Sequence, residues 1–524
     1  MDAKIPATEA LATPTNRADM APSETATRVN GTVNEKASTP TKPQRCPEDS
    51  AGAFVAVVLL LLFMTHSSTD NIVQTLENWI LGARAGVKLP TSRELVEEYS
   101  VSPVTVRNAI HVLSEKGLVE VRPGVGVFTK PHRAARVADY GWQAGALGAL
   151  QNDLPVITPA QKTGSPDVIA LNNGYPDEAL LPTDQIRRTM VKVSKEPDSL
   201  KRSPVRGLPE LQNWFSHQVE CSPRDVLIVN GTQSGLTAIF RSVVGNGQPL
   251  LVESPTYWGA ILAAKQSSIV LHPVTSDEEG PKTEDVEKTL KSTGARVFYA
   301  QPHYANPHGR SWSQKRKAEI LELVRKHDTF LIEDDWAHDF WFNRSHTPIA
   351  NQDADGHVIY LRSLTKSVSP AVRVGAVIAR GPVLHRITAH AAAEAMYTSS
   401  LLQRVALHIV SSNAWNKHLN SVRRELKQRR DDLLDALRSK APEVTVNHIP
   451  AGGLNLWCEV EESIDVEKLA QVSESNGLLI SPGQGWFPTD PTGSFFRLNF
   501  AGSRSENFSE AAESLHRAIS EIRQ

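Results

Sequence analysis

The apolar positions of this chain change their spacing twice, and the changes mark its parts. Ile72, Leu76, Trp79 and Ile80 fall at i, i+4, i+7 and i+8, one face of a helix. Thr91 followed by Glu94 is a capping box, which opens a second helix predicted to bury Leu95 and Tyr99. Ser102 before Pro103 is an N-cap with proline at the first helical position. It predicts a third helix with Val106, Ile110 and Leu113 inward, ending at Gly117. Only a tight turn around Ser100 and Val101 separates the second and third helices, which is helix-turn-helix spacing. Leu118–Arg122 and Val125–Lys130 then alternate about Pro123-Gly124 as a two-stranded wing.

From Asp167 the pattern becomes short β-branched runs between amphipathic helices. The runs are Val226–Val229, Leu250–Glu253, Ile269–Val274, Val297–Ala300, Phe330–Glu333, Val358–Leu361 and Val374–Ala379. Such alternation predicts βα units and a mainly parallel sheet. Residues 385–440 read as almost entirely helical, and the last eighty as a smaller α/β lobe. Residues 1–50, rich in Pro, Thr, Ala and Lys, read as a disordered tail. The predicted organisation is a tail over 1–50, a helix-turn-helix domain over 51–130, a linker over 131–166 and an α/β domain over 167–524.

Composition narrows the possibilities. At 40% hydrophobic and 22% charged, the chain is neither wholly disordered nor a polytopic membrane protein. Lys and Arg number 56 against 58 Asp and Glu, so any surface for nucleic acid must be local. Cys46, Cys221 and Cys458 are scattered, which predicts neither a disulfide framework nor a metal site, and points to a reducing cytoplasm. The apolar run Ala53–Met64 is shorter than the roughly 20 residues of a membrane span, and is predicted to be a buried helix rather than an anchor.

Exposed Ser92, Arg93, Ser102, Thr105 and Arg107 stand at the starts of the second and third helices, where helix N-termini and hydroxyls meet phosphates and base edges. Arg122, with Gly124 and Gly126, would let the wing reach a minor groove. The stretch resembles the winged helix of GntR-type bacterial regulators in Leu89-Pro90-Thr91-Ser92-Arg93-Glu94-Leu95, in Val101-Ser102 to Arg107, and in Glu120 to Phe128. Pro103 and Val104 depart from it, standing where many relatives carry an Arg and a polar residue. The resemblance implies binding of double-stranded DNA, with base readout resting on Arg107 and Thr105.

In the α/β region, Lys366 follows a strand in Ser363-Leu364-Thr365-Lys366, and other features stand in a fixed order around it. Asn306 lies in Asn306-Pro307-His308-Gly309, Asp334 ends a strand, Arg373 follows the lysine by seven positions, and Arg497 lies in Phe496-Arg497-Leu498. This constellation resembles the fold-type I aminotransferases, and implies pyridoxal 5'-phosphate as cofactor. Lys366 would form the Schiff base and Asp334 would keep the pyridine nitrogen protonated. Asn306 would bond the ring 3-oxygen and Tyr257 would stack on the ring. Thr232 and Gln233, at a helix start, would cup the phosphate with Ser363 and Arg373, and Arg497 would grip an α-carboxylate. Two places depart from the family. Asp335-Trp336-Ala337 lacks the usual phenol, and Arg202-Ser203-Pro204-Val205 lacks the tyrosine that reaches the partner subunit's phosphate.

A GntR-like winged helix before an aminotransferase-like domain is similar to the MocR subfamily of regulators. That resemblance implies a cytoplasmic homodimer on promoter DNA, answering a small-molecule effector, with the linker tethering the winged helices. The missing phenol favours a regulatory rather than an enzymatic domain. The expected role is control of pyridoxal-phosphate biosynthesis genes, as an activator. The alternatives are control of amine or amino-acid utilisation through an amino-acid effector, and a working transaminase.

Overall fold

The computed structural model describes residues 68–83, 85–130, 142, 143, 146, 159–165 and 167–524. The tail, the apolar run 53–64 and most of the linker lie outside the described residues. Two compact units divide the chain, Met1–Ala146 and Leu147–Gln524.

In the first unit, α1 (Ser68–Gly82), α2 (Ser92–Tyr99) and α3 (Pro103–Glu115) precede β1 (Val119–Arg122) and β2 (Gly126–Thr129). Ile72, Leu76, Ile80, Leu95, Val106, Ile110, Leu113 and Val119 close one apolar core. Trp79 does not join it, being 44% exposed. Val73 takes its place, because a stripe through Ile72, Val73, Leu76 and Ile80 is centred about 50° round the helix from Ile72 and leaves Trp79 at its edge. The capping box is present, with Thr91 accepting from the Glu94 backbone and Glu94 from that of Thr91. Ser102 caps α3, which stops at Glu115 before the positive φ of Gly117. The wing pairs antiparallel from Val119↔Thr129 to Arg122↔Gly126. Residues 86–89 run along its far edge, Gly86 donating to Thr129 and Leu89 to Val127.

In the second unit, a seven-stranded sheet is built from β3 (Val226–Val229), β4 (Pro249–Glu253), β5 (Val270–Val274), β6 (Val297–Ala300), β7 (Phe330–Asp335), β8 (Val358–Ser363) and β9 (Gly375–Ile378). Its order is β3-β9-β8-β7-β6-β4-β5. All pairings are parallel except those of β9, which runs antiparallel to both β8 and β3. The strands read as unbroken apolar runs because both faces are covered. Ile228, Leu251, Phe298, Leu331 and Tyr360 enter one core, and their neighbours Leu227, Leu250, Tyr299, Ile332 and Leu361 the other. A smaller lobe pairs β10 (Asn455–Val460) and β11 (Ser481–Pro482) with β12 (Ser494–Asn499). Its core joins Leu456, Phe496 and Leu498 to the long helix Trp415–Lys440 and the last helix Phe508–Arg523. Among the described residues no helix is long and apolar enough to cross a membrane.

Candidate functional site

In the first unit the predicted contact residues are placed on the starts of α2 and α3 and on the wing. Ser92, Ser102 and Arg107 are exposed and Thr105 is half-buried. The Arg93 side chain is 90% exposed and ion-pairs with Glu97 at 3.4 Å. The two hydroxyls at the start of α3 are partly spent on each other, for Ser102 Oγ lies 2.9 Å from Thr105 Oγ1 and accepts the Thr105 amide at 3.2 Å. Arg107 makes no hydrogen bond or ion pair among the described residues, so its fork is free for an outside acceptor. Arg122 pairs with Glu120 and lies 4.8 Å over the Phe128 ring. Gly124 at the wing tip holds φ +74°, which favours glycine there.

In the second unit the strand ends converge. In a mostly parallel sheet, ligands bind beyond the carboxyl ends of the strands, and there a cleft of ≈ 810 Å³ opens. Gln233, Tyr257, Asn306, Lys366, Arg373 and Arg497 all line it. Thr232, Asp334 and Ser363 are not on its wall. Thr232 opens the helix Thr232–Ile239, Asp334 is buried at the end of β7, and Ser363 Oγ accepts the Thr365 amide at 3.2 Å.

Each group is held by neighbours from distant sequence. Tyr299 Oη and Gln301 Nε2 both donate to Asp334 Oδ2, at 2.8 Å each. Oδ1 is buried and has no partner among the described residues. Burial pushes this carboxyl up, against the pull of those two donors and of Lys366. The Lys366 amine lies 4.9 Å over the Trp336 ring and 5.7 Å over that of Tyr175. Burial brings its pKa down to about 8, with Arg497 and Arg373 adding to the shift and Asp334 opposing it. Gly231, at φ +81°, caps the helix N-terminus beside Arg373, whose Nη2 would sit 2.8 Å from a Cβ placed there. The Thr365 hydroxyl is 3.3 Å from the same point, buried and without a partner among the described residues.

Arg497 is 1% exposed. It donates to Asn306 Oδ1 at 3.1 Å and to the Asn172 carbonyl, and stacks 4.7 Å over Trp486. No carboxylate pairs with it among the described residues, and burial draws its pKa down to about 9. Asn306 Oδ1 also accepts from Asn455, which leaves the Asn306 amide nitrogen for a ligand. The position expected to lack a phenol does lack one. Trp336 presents an indole whose N–H is spent on the Tyr304 carbonyl at 3.2 Å.

Sequence reasoning missed Thr365, Tyr299, Gln301 and Asn172. Strand parity carries a signal for Tyr299, since Tyr299 pairs with Ile332 and so shares a face with Asp334. Nothing in the sequence points to Gln301 or Asn172. Also missed was a polar cluster beneath the next residue. Asp335 accepts from Tyr360 and His338 at 2.7 Å and from His346 at 3.0 Å. Burial raises this carboxyl, but His346 and His338 outweigh that and hold it well below the usual range. His303 stacks on His346 and meets the Lys317 amine at 2.6 Å.

Comparison with known proteins agrees with these two units. Residues 166–515 match the aminotransferase class I and II family, and residues 68–129 the gntR family of bacterial regulatory proteins. The HTH-type transcriptional regulator YdfD of Bacillus subtilis is 28% identical over 448 residues, covering 83% of this chain and 92% of that protein. The probable rhizopine catabolism regulatory protein MocR of Rhizobium meliloti is 26% identical, covering 83% of this chain and 90% of its own. The solved α-aminoadipate aminotransferase LysN of Thermus thermophilus, complexed with a phosphopyridoxyl-leucine, superposes with a TM-score of 0.65 at 25% identity over 68% of this chain and 93% of its own.

Pyridoxal 5'-phosphate is the cofactor of this fold, and the orphaned atoms fit it. Lys366 would take its aldehyde, the free Asp334 Oδ1 its ring nitrogen, and Gly231, Thr365 and Arg373 its phosphate. When bound it supplies an electron sink. The chain therefore belongs to the aminotransferase class I and II family, preceded by a gntR-type helix-turn-helix in the arrangement of the MocR regulators.

Proposed function

We propose that this chain is a transcriptional regulator that binds double-stranded DNA through its winged helix and is gated by a small molecule at the Lys366 cleft. Pyridoxal phosphate on Lys366 is held by Thr232, Gln233, Tyr257, Asn306, Asp334, Ser363 and Arg373, with Thr365 added to the expected set. DNA is met by Ser92, Arg93, Ser102, Thr105, Arg107 and Arg122, with Gly124 at the wing tip. The protein works in the cytoplasm as a homodimer whose two winged helices meet paired half-sites. Ligand at one site then biases binding at another, a coupling of two distinct sites.

The observation that carries the reading is Arg497, a buried guanidinium with no carboxylate beside it among the described residues. A buried charge is stable only when paired, so a carboxylate effector, an amino acid, completes this cleft best. Control of amine or amino-acid utilisation genes follows from that. A second reading takes pyridoxal phosphate itself as the signal, with its biosynthesis genes as targets and activation as the sign. Trp336 favours it, since an indole in place of a phenol leaves the ring 3-oxygen one donor fewer for turnover.

Promoter affinity measured with pyridoxal phosphate alone, then with an amino acid added, separates the two. The amino-acid reading predicts a change only on the second addition, lost in Arg497→Gln at a cost of about 2–3 kcal/mol in effector binding. A full response to the cofactor alone overturns it. Steady multiple-turnover keto-acid production would instead make the domain an enzyme.

A further inference from the structure

A second cavity of ≈ 250 Å³ lies in the same unit, and no residue lines both it and the Lys366 cleft. Its charged groups are not equivalent. Glu253 is buried and receives the Trp312 indole N–H at 3.0 Å, and burial lifts its pKa to about 7. Asp277 is paired with Arg316 at 3.2 Å, and Glu459 receives the Asn447 amide. Every carboxylate on the wall is thus already engaged by the protein. Arg310 is the opposite case, a half-buried guanidinium with no hydrogen bond or ion pair among the described residues. The histidines beside it do not compete for an anion's partner by charge, because burial and Arg310 itself hold His308 down at about 3 and His448 below its usual value.

The apolar part of the wall is largely aromatic. Trp457 and Phe495 stack at 5.4 Å with planes 12° apart, and Trp312 also lines the cavity. A cavity of about 150 Å³ accommodates benzene, so this one holds one ring and an acid group. Benzoate-like geometry matches both halves, a ring for the aromatic wall and a carboxylate for a bidentate arginine fork.

We propose that this cavity is a second ligand site, which takes a small aromatic carboxylic acid with its ring against Trp457 and Phe495 and its carboxylate on Arg310. The site has two routes to the Lys366 cleft. The turn that carries Arg310 also carries Asn306, and is closed by Ala305 N to Arg310 O at 2.8 Å and by Gly309 N to Ala305 O at 2.6 Å. Trp486 lies against Trp457 at 6.4 Å on one side and under Arg497 at 4.7 Å on the other. Binding in the cavity does not depend on the regulatory reading of the chain, so either can fail without the other.

The test is a tryptophan-fluorescence titration of the full-length protein, loaded with pyridoxal phosphate, using benzoate, acetate and benzamide. Saturable quenching by benzoate is expected, with acetate and benzamide at least about tenfold weaker because each lacks half of the match. Arg310→Gln should weaken benzoate by about tenfold or more and Arg310→Lys by less. Far-ultraviolet circular dichroism and the visible band at Lys366 report that both variants fold. The proposal is overturned if benzoate does not bind, or if Arg310→Gln binds it like the wild type. It is also overturned if Arg497→Gln abolishes binding while Arg310→Gln retains it, which would put the acid in the Lys366 cleft.

Discussion

The start of α3 and the Lys366 cleft are both built from polar side chains, and they treat them in opposite ways. On α3 the groups are at or near the surface and complete one another, Ser102 with Thr105, while Arg107, without a partner among the described residues, is exposed. In the cleft they are buried and left incomplete. Among the described residues, Asp334 keeps one oxygen without a partner, Thr365 its hydroxyl, and Arg497 its charge. An unpaired polar atom costs little in water and about 1–3 kcal/mol inside a protein. Those of the cleft are atoms that a ligand there would complete, whereas the start of α3 has no such buried atom among the described residues. DNA binding on such a surface draws instead on long-range charge and on fit to base edges.

Lys366→Ala breaks this contrast most completely. It should abolish the visible band that the wild type develops with pyridoxal phosphate, and a band of equal size in the variant would remove Lys366 from the site. Next in size is a pH effect. The neutral amine is the form that attacks an aldehyde, and with a pKa near 8 its fraction falls by about fiftyfold from pH 8 to pH 6. Cofactor loading followed by stopped-flow absorbance should slow accordingly below pH 8 and level off above it. A lysine left at its ordinary value would keep accelerating towards pH 10.

Arg107→Ala sharpens the other side of the comparison. It should weaken operator binding by about 1–3 kcal/mol and relax the preference at one base pair, read by titration on matched and mismatched duplexes. Uniform weakening on all sequences would move Arg107 from base to phosphate. The smallest effect belongs to Ser102→Ala, which removes the α3 cap. About 1 kcal/mol of stability should be lost, measured by urea denaturation of residues 68–130 within the full chain.

What could be read from the sequence follows the range of the interactions. The caps at Thr91 and Ser102 involve residues three positions apart, and both are present as spelled. The strand runs were legible because covered strands are continuously apolar, and β3, β6 and β7 begin at the expected residues. Trp79 misled because four apolar positions fit two overlapping stripes, and only packing against α3 selects the one through Val73. The third edge of the wing was not legible, since the alternation Val87-Lys88-Leu89 is only three residues long and the segment is placed by backbone bonds to Val127 and Thr129. In the cleft, Lys366, Asn306, Arg373 and Arg497 stood out by their order. Asn172 and Gln301 did not, because each is recruited by a partner far along the chain.

The antiparallel return of β9 sets a fixed measure within the cleft. Lys366 and Arg373 stand on the single connection between β8 and β9, and that connection is anchored at its mouth by the Ser363↔Gly375 pair and by Leu364 N to Val374 O at 3.1 Å. The spacing between the amine and the guanidinium is thus a property of strand register, while Arg497 belongs to β12 in the other lobe. A shift of the small lobe would carry Arg497 and Asn455, and with them the hold on Asn306, while the spacing of Lys366 and Arg373 stays as it is. In the regulatory reading proposed above, such a shift would let a carboxylate go while Lys366 and Arg373 keep their places.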